Sequence, residues 1–320
     1  MKIDKTNKII LFELTQNART FDSNIAKKTN KSKETIRYRI NNLEENQIIT
    51  GYLTWFDPSK LGYTSGKIYL QLKNDSKRQK EFVDFVTKDK RLFWLGIAQG
   101  AWNAGLTYFV KSQREFFRLK NDLFDKFHDI ILESKTAILV QVQVGPKTIF
   151  CKSTEDYKIL FEEQGSHVLD EASKAVLKVL MKNARSTVVE IANKTNNSIE
   201  VVRNRIKSLE ENQIIKGYSA SIDHKKLGLD FYKTFIYIKE FSKEIETKFD
   251  EYCLKDENIT HVVKQNSAWD IELEILAKNY LDYQETINKL THEFPENIAR
   301  IETAIMLHDY VWPSKSSLLD

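Results

Sequence analysis

Lys33, Glu34, Arg37, Tyr38 and Asn41 recur at spacings of one helical turn, and so do Ile199, Glu200, Arg203, Asn204 and Lys207 further along a chain of 320 residues. Residues so spaced share one face of an α-helix. The chemistry such a face offers is recognition of a nucleic-acid duplex. Arginine donates a bidentate pair to guanine, asparagine pairs with adenine, and lysine meets phosphate. Ser32 and Ser198 stand just ahead of the two runs, where a hydroxyl caps the helix and leaves its amide end near a phosphate. Glu34 and Glu200 repel DNA unless they accept from a cytosine amino group, and an acid in a first turn is better explained by the helix dipole. Arg39 and Arg205 lie one step from the apolar stripe; there an arginine either braces the fold through an ion pair or reaches the DNA backbone. The candidate DNA-contacting set is therefore Ser32, Lys33, Thr35, Arg37, Tyr38, Arg39 and Asn41 in the first run, and Ser198, Arg203, Asn204, Arg205 and Lys207 in the second.

Other chemistries find no support. The six histidines show no metal-ligand spacing, and Cys151 and Cys253 lie far apart with no CxxC. There is no Gly-x-Ser-x-Gly and no phosphate loop. No metal, cofactor or catalytic residue is expected. Apolar residues make up 41% and charged residues 29%, with 10 Gly and 4 Pro, so the chain is folded throughout. No apolar run reaches the roughly 18 residues of a membrane span, and the amino terminus reads as an amphipathic helix; no membrane partner is expected, and the expected location is the cytoplasm.

The elements that must carry these faces can be laid out twice. Ile10, Leu11 and Leu14 after Asp4 predict a first helix, Ile25 and Ala26 a short second one ending at Asn30, and Ile36, Ile40 and Leu43 the buried stripe of a third. The β-branched and aromatic run from Ile48 to Leu53 predicts a strand, the wing. Asp4 to Tyr63 then aligns on Asp170 to Leu229 at an offset of 166 residues with about half the positions identical, including LEENQII at Leu43–Ile49 and Leu209–Ile215. The likeness persists, shifted by one, in Ala101-Trp102-Asn103 against Ala268-Trp269-Asp270 and Thr136-Ala137-Ile138 against Thr303-Ala304-Ile305. The chain is a tandem duplication of a two-domain module, too long a period for a solenoid. Residues 1–63 and 168–229 each carry a net charge of +4, residues 64–167 carry +4, and residues 230–320 carry −8. Small basic modules thus alternate with larger ones of opposite sign, which points to a polyanionic partner for the small modules.

The Asn-Ala-Arg after the first helix, the Ser-x-x-x-[Ile/Val]-Arg-x-Arg-Ile-x-x-Leu-Glu third helix and the Ile-Ile-x-Gly-Tyr strand resemble the Lrp/AsnC (feast/famine) transcription regulators over nearly the whole chain, twice. The resemblance implies an α+β fold in which two winged helix-turn-helix domains alternate with two ferredoxin-like βαββαβ (RAM-type) domains. The expected boundaries are 1–62 and 168–228 for the DNA-binding units, 63–145 and 229–320 for the RAM-like units, the latter with a carboxy-terminal tail, and 146–167 for a linker whose Tyr157–Glu163 reads as a short helix. Trp312 of the tail is expected to pack. The family binds amino acids or similar effectors beside a Gly-x-[Tyr/Trp]-Asp element, which implies Gly100, Asn103, Ser267 and Asp270 as effector-binding candidates, with a hairpin-building role as the alternative. The partner it implies is double-stranded DNA, met in successive major grooves by two recognition helices of one chain. Opposite charges on the RAM-like units favour their pairing within the molecule as a pseudo-dimer, with room for further homo-oligomers. Differing readers, Tyr38 against Asn204 and Lys33 against Ile199, imply an imperfectly palindromic operator. The competing reading is a siroheme-decarboxylase-like enzyme of the same architecture, which implies a histidine- and arginine-rich pocket where this chain has Trp94–Gln99 and, in the second copy, His261 alone. A protein-docking module with degenerate winged helices is the third; the basic readers kept in both copies weigh against it.

Overall fold

The computed structural model describes residues 3–151, 157–161, 164–240, 242–311 and 317–319; Trp312 lies outside them. The first head is built from α1 (Lys5–Gln16), α2 (Asp22–Thr29) and α3 (Lys33–Glu45). Asp4 starts α1 by accepting from the Asn7 amide at 2.8 Å, and Ser32 starts α3 by accepting from the Thr35 amide at 3.1 Å. Asn30 ends α2 in the left-handed conformation, φ 52°, which asparagine tolerates better than most residues. Ile10, Leu11, Leu14, Ile25, Ile36, Ile40 and Leu43 close the core between the three helices.

The strand β1 (Ile49–Phe56) follows, then β2 (Thr64–Leu72), α4 (Ser76–Val86), β3 (Leu92–Gly100), β4 (Ala104–Val110), α5 (Gln113–Phe127), β5 (Ile131–Val144) and β6 (Lys158–Leu160). The second copy runs α6 (Glu171–Lys182), α7 (Val188–Thr195), α8 (Ile199–Glu211), β7 (Ile215–Ile222), β8 (Asp230–Ile238), α9 (Lys243–Lys255), β9 (Ile259–Asn266), β10 (Ile271–Ala277), α10 (Tyr280–Glu293) and β11 (Ile298–Val311). The segment expected to be a helix at Tyr157–Glu163 is instead strand β6 at Lys158–Leu160. It pairs antiparallel with β5 from Val142 to Val144, because β2 covers that edge of β5 only as far as Ile138 and leaves its backbone groups to be satisfied.

Each RAM-like unit forms a four-stranded antiparallel sheet, β5-β2-β4-β3 and β11-β8-β10-β9. Cross-copy pairs β3–β11 and β5–β9 close the eight strands into one ring, so neither sheet is left with an open long edge at the junction. Alternation along the strands sends Ile68 and Leu70 outward to a core under α4 and α5, and sends Lys67 and Tyr69 inward. The interior mixes aromatics with buried charge. Lys67 Nζ lies 3.0 Å from Glu272, Lys233 Nζ lies 2.7 Å from Glu272 and 2.6 Å from Glu274, Tyr69 donates to Glu272 at 2.5 Å, and His261 Nδ1 lies 2.8 Å from Glu274. Burial opposes ionisation of Glu272, yet Lys233 and Lys67 bring its carboxyl down to about 2. The first copy holds Gly105 where the second holds Glu272; a Cβ there would sit 2.8 Å from the Trp94 ring. One copy fills this layer with indole, the other with carboxylate.

Candidate nucleic-acid interface

In both heads the third helix buries one stripe and leaves the opposite face open. Arg37, Tyr38 and Asn41 on α3, with Lys33 and Glu34, line a shallow open depression, and Tyr38 is 68% exposed. On α8, Ile199, Glu200, Val201, Arg203, Asn204 and Lys207 are exposed. Hydrogen bonds at the helix start, from its own backbone and from Ser32, hold the Glu34 carboxyl below its ordinary value, which fits the helix-dipole reading. The Thr35 hydroxyl lies 3.1 Å from that of Ser32, and Ser198 accepts from the Val201 amide at 3.2 Å, so both serines are caps.

The two roles left open for Arg39 and Arg205 are separated by their partners. Arg39 donates to Asp4 at 2.8 and 3.0 Å and to Asn7 at 2.9 Å, and Arg205 lies 2.6 Å from Asp170. Each ties the third helix to the cap of the first, the bracing role. Arg37 is held through Nε by Asp22 at 2.5 Å, whereas Arg203 takes part in no hydrogen bond or ion pair among the described residues.

The strand expected to form a wing pairs with its counterpart from the other copy. β1 and β7 make an antiparallel two-stranded ribbon with Tyr52 opposite Ala220 and Thr54 opposite Tyr218. The Asn-Ala-Arg segments dock across this ribbon: the Ala18 amide donates to Tyr218 O at 3.1 Å and the Ala184 amide to Tyr52 O at 3.0 Å. Arg19 sits over the Tyr218 ring and donates to Ala184 O and Ser186 O at 2.6 and 2.9 Å, while Arg185 sits over the Tyr52 ring. Tyr52 in turn donates to Glu44 at 2.5 Å and Tyr218 to Glu210 at 2.7 Å, at the ends of α3 and α8. Each recognition helix is thereby anchored to a ribbon that the opposite head grips. Sequence reasoning missed this linkage, although the signal was present in the repeated Asn-Ala-Arg and Gly-Tyr pairs.

The four effector candidates lie at the turns between β3 and β4 and between β9 and β10, where three of their side chains are engaged by the protein's own backbone. The Asn103 amide bonds both ways with the Leu72 backbone at 2.7 and 2.8 Å, and Asp270 accepts from the Ile238 amide at 2.9 Å. Ser267 donates to Trp269 O at 2.5 Å. Gly100 has φ 127°, and a Cβ would lie 2.4 Å from Thr303 O, so that site admits only glycine. A water-sized cavity beside them is lined by Tyr69, Gln71, Trp102, Lys135, Trp269 and Glu302 among others, and by none of the four. Among the described residues no three acidic, histidine or cysteine side chains are grouped to hold a metal, and no helix is long and apolar enough to cross a membrane.

These open third helices on paired three-helix heads define a helix-turn-helix DNA-binding protein, and comparison with known proteins agrees. A family model described as winged helix-turn-helix DNA-binding matches residues 3–50 and again 169–216. An uncharacterized HTH-type transcriptional regulator of Pyrococcus furiosus is 31% identical over 145 residues, which are 44% of this chain and 93% of that protein. The HTH-type transcriptional regulator LrpA of Pyrococcus horikoshii is 48% identical over 61 residues, 19% of this chain and 43% of LrpA. Among solved structures, the siroheme decarboxylase NirDL superposes with a TM-score of 0.63 at 14% identity, over 96% of this chain and 92% of that one, a likeness of fold. The chain belongs to the Lrp/AsnC family of helix-turn-helix transcriptional regulators, and it carries the family's module twice.

Proposed function

We propose that this regulator engages one DNA duplex with both heads at once, as an intramolecular pseudo-dimer acting in the cytoplasm, and that it has no enzymatic activity. The observation that carries the reading is the ribbon: β1 and β7, gripped from both sides by Arg19 and Arg185, join two heads whose recognition faces remain open. Two heads joined in this way reach successive major grooves, about 34 to 36 Å apart or a multiple of a turn. Lys33, Arg37, Tyr38 and Asn41 read one half-site, and Arg203, Asn204 and Lys207 the other.

The enzyme reading draws on the fold likeness to a decarboxylase. In this chain, however, the one histidine of the corresponding strands, His261, is engaged by Glu274 inside the ring of strands. A small-molecule effector at Gly100, Asn103, Ser267 and Asp270 would meet groups already engaged by the protein itself, Asn103 with Leu72 and Asp270 with Ile238. The test is binding of the purified chain to selected DNA across a salt series, with absorption spectroscopy on the same sample. Strong salt dependence, loss of specific affinity in the Arg37→Ala and Arg203→Ala double variant, and no porphyrin-like band are expected. Tetrapyrrole turnover without DNA binding would overturn the reading.

A further inference from the structure

Asp22 stands in the first turn of α2 with its carboxylate 2% exposed, and both oxygens are engaged by arginines. Oδ2 takes Nε of Arg37 at 2.5 Å, and Oδ1 takes a terminal nitrogen of Arg185, from the other head, at 3.2 Å. An arginine held through Nε keeps its two terminal amino groups free and fixes the plane in which they point. The Arg37 side chain is 61% exposed, beside the depression formed with Lys33, Glu34, Tyr38 and Asn41, and it makes no other hydrogen bond among the described residues. Guanine is read by such a fork, O6 and N7 accepting two parallel bonds, and a fork already oriented loses less rotational freedom on binding.

The second head lacks the device. At the offset of 166, Asp22 corresponds to Val188, and the arginine equivalent to Arg37, Arg203, has no partner among the described residues. Its neighbours differ as well: Ile199 and Val201 are exposed where the first head has Lys33 and Thr35, a surface that suits thymine methyl groups better than phosphate.

We propose that Asp22 is a positioning residue that presents Arg37 to a guanine, so that the first head reads a stricter half-site than the second. The proposal rests on the DNA-binding function above. Binding-site selection with the full chain tests it, comparing wild type with Asp22→Asn and Val188→Asp. Wild type should return an asymmetric site with guanine required in one half only. Asp22→Asn should lower the preference for that guanine by about tenfold relative to affinity for mixed-sequence DNA, a ratio that a general loss of stability would not move. Val188→Asp, which also places an acid favourably in a helix first turn, should create a guanine requirement in the other half. Equal requirements in both halves of the wild-type site, or an unchanged preference in Asp22→Asn, would overturn the proposal while leaving the regulator intact. Enrichment of no sequence at all would remove both.

Discussion

At the scale of residues, position on a helix face separates two arginines that stand two apart in sequence. Arg37 points to the open face and is steadied by a buried acid, while Arg39 turns back to Asp4 and Asn7. Arg39→Ala and Arg205→Ala should each reduce unfolding free energy in urea by about 1 kcal/mol, as part-exposed ion pairs do, and leave base preference as it was. A changed base preference in the selected sites would assign them to the reading face instead. The shared exposed face of Lys33, Arg37, Tyr38 and Asn41 was legible from the sequence, since helix periodicity alone decides which residues share a face. The partner of Arg37 was not, because Asp22 lies 15 residues away on another helix and reaches it only once α2 and α3 pack together.

At the scale of elements, the ribbon joins the two heads, and in the proposed function it is what lets one chain read DNA with both. Its strands were readable as strands, from their β-branched and aromatic content, but their partners were not. A strand read alone does not reveal whether it folds back on its own head or meets its copy. The cation-π and backbone contacts of Arg19 and Arg185 select the second arrangement. Arg19→Ala with Arg185→Ala should weaken binding to a site with two half-sites by tenfold or more, since linked engagement multiplies affinity, and should affect an isolated half-site far less. Equal losses on both DNAs, measured by titration, would show that the arginines do not set head spacing.

At the scale of the whole molecule, the copies are differentiated to pair with each other. Lys135 and Glu302 occupy equivalent positions and lie 2.8 Å apart, and Lys67 of one copy reaches Glu272 of the other. Self-pairing of either copy would set Lys135 against Lys135 or Glu302 against Glu302, and self-pairing of the first copy would leave Lys67 facing Gly105 without a carboxylate. Lys135→Glu should lower stability by about 1 to 2 kcal/mol in denaturant titration, and adding Glu302→Lys should restore most of it. If the double variant stays as unstable as the single one, the pair does not direct assembly. Acid should also unfold this region early. Burial, with the nearby Lys147 and His261, pushes the His224 imidazole down to about 3 from 6.5. A depressed value means the folded chain binds that proton more weakly, so stability is complete above about 6.5 and is lost progressively as pH falls towards 3. A melting temperature flat from pH 7 to about 4 would contradict that environment.

What the sequence determined by itself was whatever is local or repeated: the helices, their caps, the exposed faces of the third helices, the duplication and the opposed charges of the RAM-like units. Each of these follows from periodicity and chemistry within a few residues, or from comparing the chain with itself. The tertiary structure alone decided which copy each strand pairs with, that Lys67, Lys233, Glu272 and Glu274 share one buried layer, and that one recognition arginine is held while its twin is free. These depend on groups 15 to 205 residues apart in the chain meeting within hydrogen-bonding distance, which no local pattern encodes.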